Sequence, residues 1–447
     1  MVRKLVFAAF VIGFCFCPML RGEEKTADDA AKKVTDLKHP TDWLELGGDF
    51  RFRFAYDNAR NLDNKAFGHE RIQMRFRARV QAKIRLTDDL DFNIRLMTEP
   101  RYYIRAEAEP HHWAYNEALF DKLNLTWRNA FDLPMTIVAG RQEIILGSGW
   151  LVCDGTPLDG GRTAYFDALR FTYNIDSNTT ADVILIDNHA DSAKWFKPFN
   201  DRDIDLSEQD ERGAILYFNK KTSKDSGIDL YLIYKHDAHR IVSSGSEGEI
   251  YTLGTRFYGK LNDHWQYSAE FAPQFGHKNG KSLGAFGTNN QLIYNFNDEK
   301  KNRIYLGYEY LSGSRDPDKN FDRGWGRVDT WSYLYQGNID AIDGRAYDNS
   351  NMHRIYTDWA TNLTEKTELK TGYAILFADE NTNKAGTGGM SEHGKLRGHL
   401  LRTVLSYKPT KNIEHKLEGE VFIPGNFYSD DRNDVAVFFR YNLIFTW

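Results

Sequence analysis

Proline, cysteine and long apolar runs are all scarce in this sequence. Its 447 residues include 11 prolines and 3 cysteines. After residue 22, no stretch approaches the ~18 consecutive apolar residues of a membrane-spanning helix, which excludes a helical membrane protein. A low proline content suits long strands, because proline cannot donate a hydrogen bond within a sheet. The chain is therefore either a set of soluble domains or one large β-structure.

The first 22 residues have the pattern of a secretory signal peptide. A cationic start precedes the apolar run 5–17, and the chain turns polar after Gly22. Removing residues 1–22 takes away three positive charges and moves the formal net charge from −5 to −8. Cys153 is then the one cysteine left, so we expect no intrachain disulfide and a buried thiol rather than a reactive one.

Alternation of apolar and polar residues fills the remaining chain. The final segment, "AVFFRYNLIFTW", keeps one apolar and one mostly polar face up to Trp447, as the closing strand of a transmembrane barrel must. A mean hydropathy of −0.59 is compatible with such a barrel, because its polar inner face offsets its apolar outer face. We predict eighteen strands, at 43–57, 69–86, 91–101, 119–128, 134–143, 163–174, 180–187, 212–220, 227–235, 249–259, 264–275, 283–295, 303–312, 352–362, 367–378, 399–408, 413–423 and 434–447.

Short and long connections alternate along these strands. Every second joint is short and rich in turn-forming residues, for example "KLND", "LTEK" and "KPTKN". The intervening joints are longer, and include 102–118, 144–162, 276–282 and 313–351. This alternation indicates periplasmic turns on one rim and extracellular loops on the other. It is not typical of a β-sandwich or a propeller.

We therefore predict an all-β protein with three parts. Residues 1–22 form the signal peptide, residues 23–42 a short periplasmic segment, and residues 43–447 a transmembrane antiparallel β-barrel of about 18 strands. The 39-residue loop 313–351 is long enough to fold inward as a constriction.

Arginines concentrate on one face of the early strands. In "RIQMRFRARVQAKIRL", residues 71–86, the even positions are apolar and the odd positions carry six cations. In strand one, Arg51 and Arg53 lie on one face and the phenylalanines that alternate with them lie on the other. Strand three adds Arg95 and Arg101. Because an arginine facing lipid costs roughly 2–4 kcal/mol at mid-bilayer, these side chains should face inward.

Neighbouring strands lie about 4.8 Å apart, so these arginines would form a cationic wall that attracts carboxylates and phosphates. An alternative stays open, in which the arginines are merely part of a polar lining and pair with Glu45, Asp49 or Glu99. The predicted lumen residues of these strands are Arg51, Arg53, Arg71, Arg75, Arg77, Arg79, Lys83 and Arg95.

A second pattern lies in residues 140–173, "GRQEIILGSGWLVCDGTPLDGGRTAYFDALRFTY". A strand ending in "GRQE" is followed by a glycine-rich loop, an arginine and a strand carrying "FDALR". Here the sequence resembles the alginate export family of outer-membrane β-barrels, whose members have a similar "GRQE…LG…R.FDA.R" pattern. The middle of the loop departs from that pattern.

The resemblance implies an eighteen-stranded barrel with an electropositive lumen that passes an acidic polysaccharide outward. Matched residue by residue, it assigns Arg141, Arg162 and Arg170 to the lumen constriction. It assigns Gln142, Glu143 and Asp167 to partners that orient them.

Motifs for catalysis and metal binding are weak. The chain has no G-x-S-x-G, no H-E-x-x-H and no Cys/His cluster with metal spacing, and His111 and His112 lie in a predicted external loop. The acidic segments 201–211 and 314–329 could supply oxygens to Ca²⁺, but neither has EF-hand spacing. We expect no cofactor. The simpler interpretation of both acidic segments is that they are solvated loops near lipopolysaccharide.

These patterns predict a channel in the bacterial outer membrane, monomeric by default, for passive passage of an anionic polysaccharide or oligosaccharide. Its expected partners are lipid, lipopolysaccharide and, through the strand ending at Trp447, the barrel assembly machinery; no nucleic acid is expected. Two alternatives stay open: an uptake porin for small carboxylates or oligosaccharides, and an outer-membrane enzyme or adhesin.

Overall fold

Eighteen strand positions close into one antiparallel barrel, which confirms the predicted fold. The computed structural model describes residues 38–105, 110–115, 118–153, 165–191, 199, 209–238, 246–326, 331–339, 350–381 and 390–447. Twenty strands occupy the eighteen positions, because two positions are each split into two segments. β3 and β4 both pair with β2, whereas β6 pairs with β3 and β5 with β4.

The strands follow one another around the barrel in chain order. They are β1 (Leu44–Asn58), β2 (Arg71–Arg85), β3 (Leu90–Thr98), β4 (Arg101–Arg105), β5 (Pro110–Ala114), β6 (Ala118–Trp127), β7 (Met135–Gln142), β8 (Phe166–Asp176), β9 (Thr179–Asn188), β10 (Glu211–Ser223), β11 (Ser226–Asp237), β12 (Gly248–Lys260), β13 (Trp265–Lys278), β14 (Lys281–Asn295), β15 (Arg303–Leu311), β16 (Met352–Thr364), β17 (Thr367–Phe377), β18 (Leu396–Thr410), β19 (Ile413–Pro424) and β20 (Ala436–Thr446).

The barrel closes between β20 and β1. The two strands pair antiparallel from Asp49 opposite Thr446 to Asn58 opposite Val437. Beyond the last ladder pair, the Trp447 N–H donates to the Gly48 carbonyl at 3.1 Å and the Gly48 N–H donates to the Trp447 carbonyl at 3.3 Å. Closure satisfies the backbone groups of what would otherwise be two sheet edges.

The two rims differ in loop length as the sequence predicts, with two exceptions. The predicted long loop at 276–282 is a two-residue turn at Asn279 and Gly280, with φ of 49° and 75°. The predicted loop at 102–118 carries the β4–β5 hairpin, which pairs with the first residues of β2 and extends the wall beyond β3 and β6. No helix in the described part of the chain is long and apolar enough to cross a membrane.

The outer surface carries a band of exposed leucines. Leu216, Leu232 and Leu253 lie opposite one another on β10, β11 and β12, and they are 51%, 38% and 55% exposed. Exposed neighbouring leucines of this kind need an apolar environment, which the hydrocarbon of a bilayer supplies. The strand centres therefore lie at membrane depth.

We predict that Leu232→Arg lowers the free energy of unfolding by roughly 2–4 kcal/mol, because a guanidinium at this position faces hydrocarbon. The measurement is a urea titration of the protein in lipid vesicles, followed by tryptophan fluorescence. Leu261→Arg is the matched control, since Leu261 lies in the turn between β12 and β13 and is 64% exposed. Equal losses in the two variants would contradict the assignment of the lipid-facing band.

Candidate functional site: an arginine cluster beside two infolded loops

Arginines are buried in pairs along β1 and β2. Arg51 lies opposite Arg77, and Arg53 lies opposite Arg75. The four side chains are only 1–6% exposed, although the phenylalanines that alternate with them are partly exposed. Directly opposite residues lie about 5 Å apart, so four cations are held close together on the inner side of the wall.

Two carboxylates hold this cluster together. Glu99 accepts from Arg51 at 2.6 Å and from Arg75 at 2.5 Å, and Arg101 lies 3.3 Å from it. Asp49 pairs with Arg77 at 2.9 Å and also with Arg79. Pairing offsets the desolvation of buried charge. Since five cations share these two carboxylates, the seven side chains together carry a net positive charge.

The row of cations extends toward both rims. Near the loop rim, Arg71 pairs with Asp57 at 2.9 Å. Near the turn rim, the Lys83 ammonium lies 3.2 Å from Asp91 and the side chain is 42% exposed. The predicted cations of β2 therefore line the height of one wall segment, with the most deeply buried ones at its centre.

Neighbouring strands add two arginines to the same cluster. Arg53 donates through Nε to the Asn442 amide oxygen at 2.7 Å, and Arg440 donates through Nε to Glu418 at 2.9 Å. Glu418 also pairs with Arg402. Arg402 and Arg440 were not among the predicted site residues, although Arg440 lies on the polar face of the final strand.

The arginines of the second pattern form a separate group. Arg141 is held by Asp167 through two bonds of 2.9 and 3.0 Å, and its guanidinium lies 3.7 Å from the Tyr165 ring centroid. Arg170 pairs with Asp182 at 2.7 Å. Arg162 lies outside the described residues.

The predicted orienting partners have different roles. Asp167 pairs with Arg141, as stated above. Glu143 lies 2.7 Å from Arg95 and 2.9 Å from Lys122, and Arg95 also pairs with Asp121. Gln142 contacts none of the predicted arginines through its amide NH₂, which donates instead to three main-chain carbonyls, those of Val138, Gly140 and Ala168.

The loop after β7 folds into the barrel. The Trp150 indole donates to Glu309 at 2.9 Å and stacks on Phe321 with ring centroids 5.8 Å apart. The Ser148 hydroxyl donates to Glu270 at 2.8 Å. Trp150 is 4% exposed, and Cys153 at the end of this segment is buried as well. The sequence predicted only an external glycine-rich loop here.

The loop after β15 also folds inward in its described part. The Trp325 indole donates to Glu211 at 2.9 Å and lies against Gly213, where a side chain would meet the ring. Asp322 accepts from Lys278 at 2.9 Å, and its main-chain N–H donates to Gln274. The first half of the loop is therefore attached to the wall formed by β10, β11 and β13.

The second half of the same loop reaches the arginine side. Glu420 on β19 accepts from the Ser332 hydroxyl and from the main-chain N–H groups of Tyr333 and Leu334. Asn338 donates to Asp57 on β1 at 2.9 Å. The described segments 313–326 and 331–339 thus contact two different sides of the barrel interior, as the length of the loop suggested.

Electrostatics hold the loop in place near Asp322. Burial of this carboxyl opposes ionisation, but the ammonium groups of Lys278 and Lys235 outweigh burial and hold the pKa of Asp322 well below its usual range. Earlier in the loop, Asp316 and Asp318 pair with Lys281. No cluster of potential metal ligands occurs among the described residues, and residues 201–208 of the first acidic segment are outside them.

We predict that Trp325→Ala frees the loop and raises single-channel conductance, because the variant loses a buried indole, its packing and its bond to Glu211. Conductance in planar bilayers measures this effect. Trp113→Ala is the control, since Trp113 is 62% exposed and lies near Phe76 on the outer surface. An unchanged conductance in Trp325→Ala would contradict the role of this loop as a constriction.

A pH prediction follows from Asp322. A carboxyl with a lowered pKa keeps its stabilising ion pair until the pH falls to that lowered value, so the attachment of Asp322 to Lys278 should persist at about pH 5. We expect a higher conductance in Asp322→Asn than in the native protein at about pH 7 and at about pH 5. Asp316→Asn, which changes an exposed ion pair of the same loop, should leave conductance unaltered. Equal conductance in Asp322→Asn and the native protein at about pH 5 would refute the prediction.

Comparisons with known proteins agree with this geometry. The family model described as alginate export matches residues 42–439. Pseudomonas aeruginosa OpdQ and OprD share the fold with TM-scores of 0.59 and 0.56 at 10% identity; the matches cover 91% and 90% of this chain and 99% and 95% of those chains. Acinetobacter baumannii OccAB2 has a TM-score of 0.58 at 12% identity, over 90% of this chain and 98% of that one.

At these identities the structural likeness establishes a common barrel fold. No match is found among curated proteins. Because the family model spans nearly the whole chain, including the arginine-bearing strands, this protein belongs to the alginate export family.

Proposed function

We propose that this outer-membrane channel passes anionic saccharides, polymeric or oligomeric, by passive diffusion along its arginine cluster. The observation that carries the proposal is the packing of Arg51, Arg53, Arg75 and Arg77 on the inner side of two adjacent strands. A guanidinium can bind a carboxylate through two parallel hydrogen bonds, so neighbouring arginines offer successive binding positions to an acidic chain.

The carboxylates of the cluster support passage rather than permanent capture. Glu99 and Asp49 already occupy the arginines, so an arriving anion must compete with them. This competition lowers the affinity of each arginine for the solute, and conduction requires binding that is weak enough for release. The membership in the alginate export family, reported above, favours an acidic polysaccharide as cargo.

A second candidate function is uptake of small carboxylates or oligosaccharides. The two infolded loops favour it, because their described parts occupy space inside the barrel that a polymer would need. Solute length separates the two candidates. Block of the ionic current by polymeric uronate at concentrations where single uronate units have no effect would favour the polymer channel, and the reverse order would favour uptake of small molecules.

We predict that the native channel is anion-selective and that Arg75→Gln/Arg77→Gln/Arg79→Gln loses most of this selectivity, because three inward cations are removed. The measurement is the reversal potential across a planar bilayer in a salt gradient. The charge-matched control is Arg85→Gln/Arg212→Gln/Arg315→Gln, which removes three cations that are exposed at the rims.

Folding of both triple variants is checked by the heat-dependent shift in gel mobility that intact barrels show. Cation selectivity in the native channel would overturn the proposal. So would anion selectivity that survives in a folded triple variant of the cluster.

A further inference from the structure

A polar cavity lies inside the barrel, on the side where Arg402 extends the arginine cluster. Its volume is about 280 Å³, near the lower end of the range for small-molecule sites, which is roughly 300–1,000 Å³. Strands β13, β14, β16, β17 and β18 and the two infolded loops supply its lining. None of the paired arginines of β1 and β2 contributes to it, whereas Arg402, which pairs with Glu418, does.

Arg354 is the central cation of this cavity. Its guanidinium lies 4.5 Å from the Trp331 ring centroid and 4.1 Å from the Tyr356 ring centroid. Its Nε donates to Glu309 at 3.0 Å, and Glu309 is fixed in turn by the indole of Trp150. Two aromatic rings and a buried carboxylate therefore hold the guanidinium in a single orientation.

The Nη edge of Arg354 is the part that this arrangement leaves for a ligand. The side chain is only 8% exposed, yet within the described ranges no hydrogen bond engages Nη1 or Nη2. Both rings and Glu309 occupy the other sides of the guanidinium. A buried guanidinium edge with its donors unengaged is suited to bind a carboxylate through two parallel hydrogen bonds.

The remaining lining is suited to hydroxyl groups. Asn289 and Ser268 line the cavity, and their side chains form no hydrogen bond with any described residue. Asp358, paired with Lys370 at 2.9 Å, contributes a carboxylate that can accept from a hydroxyl. The cavity therefore combines one fixed anion-binding edge with amide, hydroxyl and carboxylate groups.

We propose that this cavity binds a small hydroxy acid, with the carboxylate on the Nη edge of Arg354 and hydroxyls on Asn289, Ser268 and Asp358. The inference rests on the proposed function, because the site lies in the same passage. It adds a saturable site, which the arginine cluster alone does not require.

The test is titration calorimetry of the full-length protein in detergent with gluconate, a six-carbon hydroxy acid. Sorbitol lacks the carboxylate and acetate lacks the hydroxyls, so we expect each to bind at least about tenfold more weakly than gluconate. Arg354→Gln should weaken gluconate binding by about tenfold or more. Arg256→Gln is the matched control, because Arg256 also lies over a tyrosine and pairs with a carboxylate, but does not line the cavity.

Asn289→Asp is a second variant that breaks no described hydrogen bond and adds a negative charge to the cavity; it should also weaken gluconate binding by about tenfold. Gluconate affinity that is unchanged in folded Arg354→Gln and Asn289→Asp would overturn the inference. Equal affinity for acetate and gluconate would overturn it as well.

The reversal potential of the native channel separates this inference from the proposed function. Gluconate binding that depends on Arg354, in a channel without anion selectivity, would refute the proposed function, but the inferred binding site would still hold. Anion selectivity without gluconate binding would refute the site and leave the proposed function.

Discussion

The structure depends on one constraint, which is that the cations of β1 and β2 cannot face hydrocarbon. Arg51, Arg53, Arg75 and Arg77 alternate with apolar residues, so only one orientation of each strand buries every cation. A shift of one residue in register would exchange the two faces. The same alternation that directs the arginines inward therefore fixes pairing, closure and the lipid-facing surface together.

The strand count and the order of turns and loops followed from the period of two, because this pattern persists through every wall segment. Local backbone chemistry limited the accuracy of the predicted strand and loop boundaries. At Pro100 the wall position splits, and the Pro100 carbonyl accepts from Phe76 where a ladder pair would stand. At Asn279 and Gly280, positive φ angles form a tight hairpin turn. Asn-Gly is a typical sequence for such a turn, but the prediction of a longer loop at this place did not use it.

The burial of the arginines on β1 and β2 was predictable, and the length of loop 313–351 indicated that it could fold inward, but the contacts of the interior loops were not predictable. Trp150, Phe321 and Trp325 lie in segments without periodicity, and nothing local indicates whether a loop aromatic meets solvent or folds inward. Their position depends on distant partners, such as Glu309 for Trp150 and Glu211 for Trp325. Arg354 was missed for the same reason, since its setting combines a strand with two loops.

The loops and the arginine cluster are physically coupled. Aromatic packing of the loops excludes water from part of the interior and lowers the local dielectric, which strengthens attraction between guanidinium groups and an anion. The same change strengthens the hold of Glu99 and Asp49 on those arginines. In the proposed channel, selectivity and release would therefore depend on a competition in which solute and wall carboxylates share the same cations, rather than on the number of arginines alone.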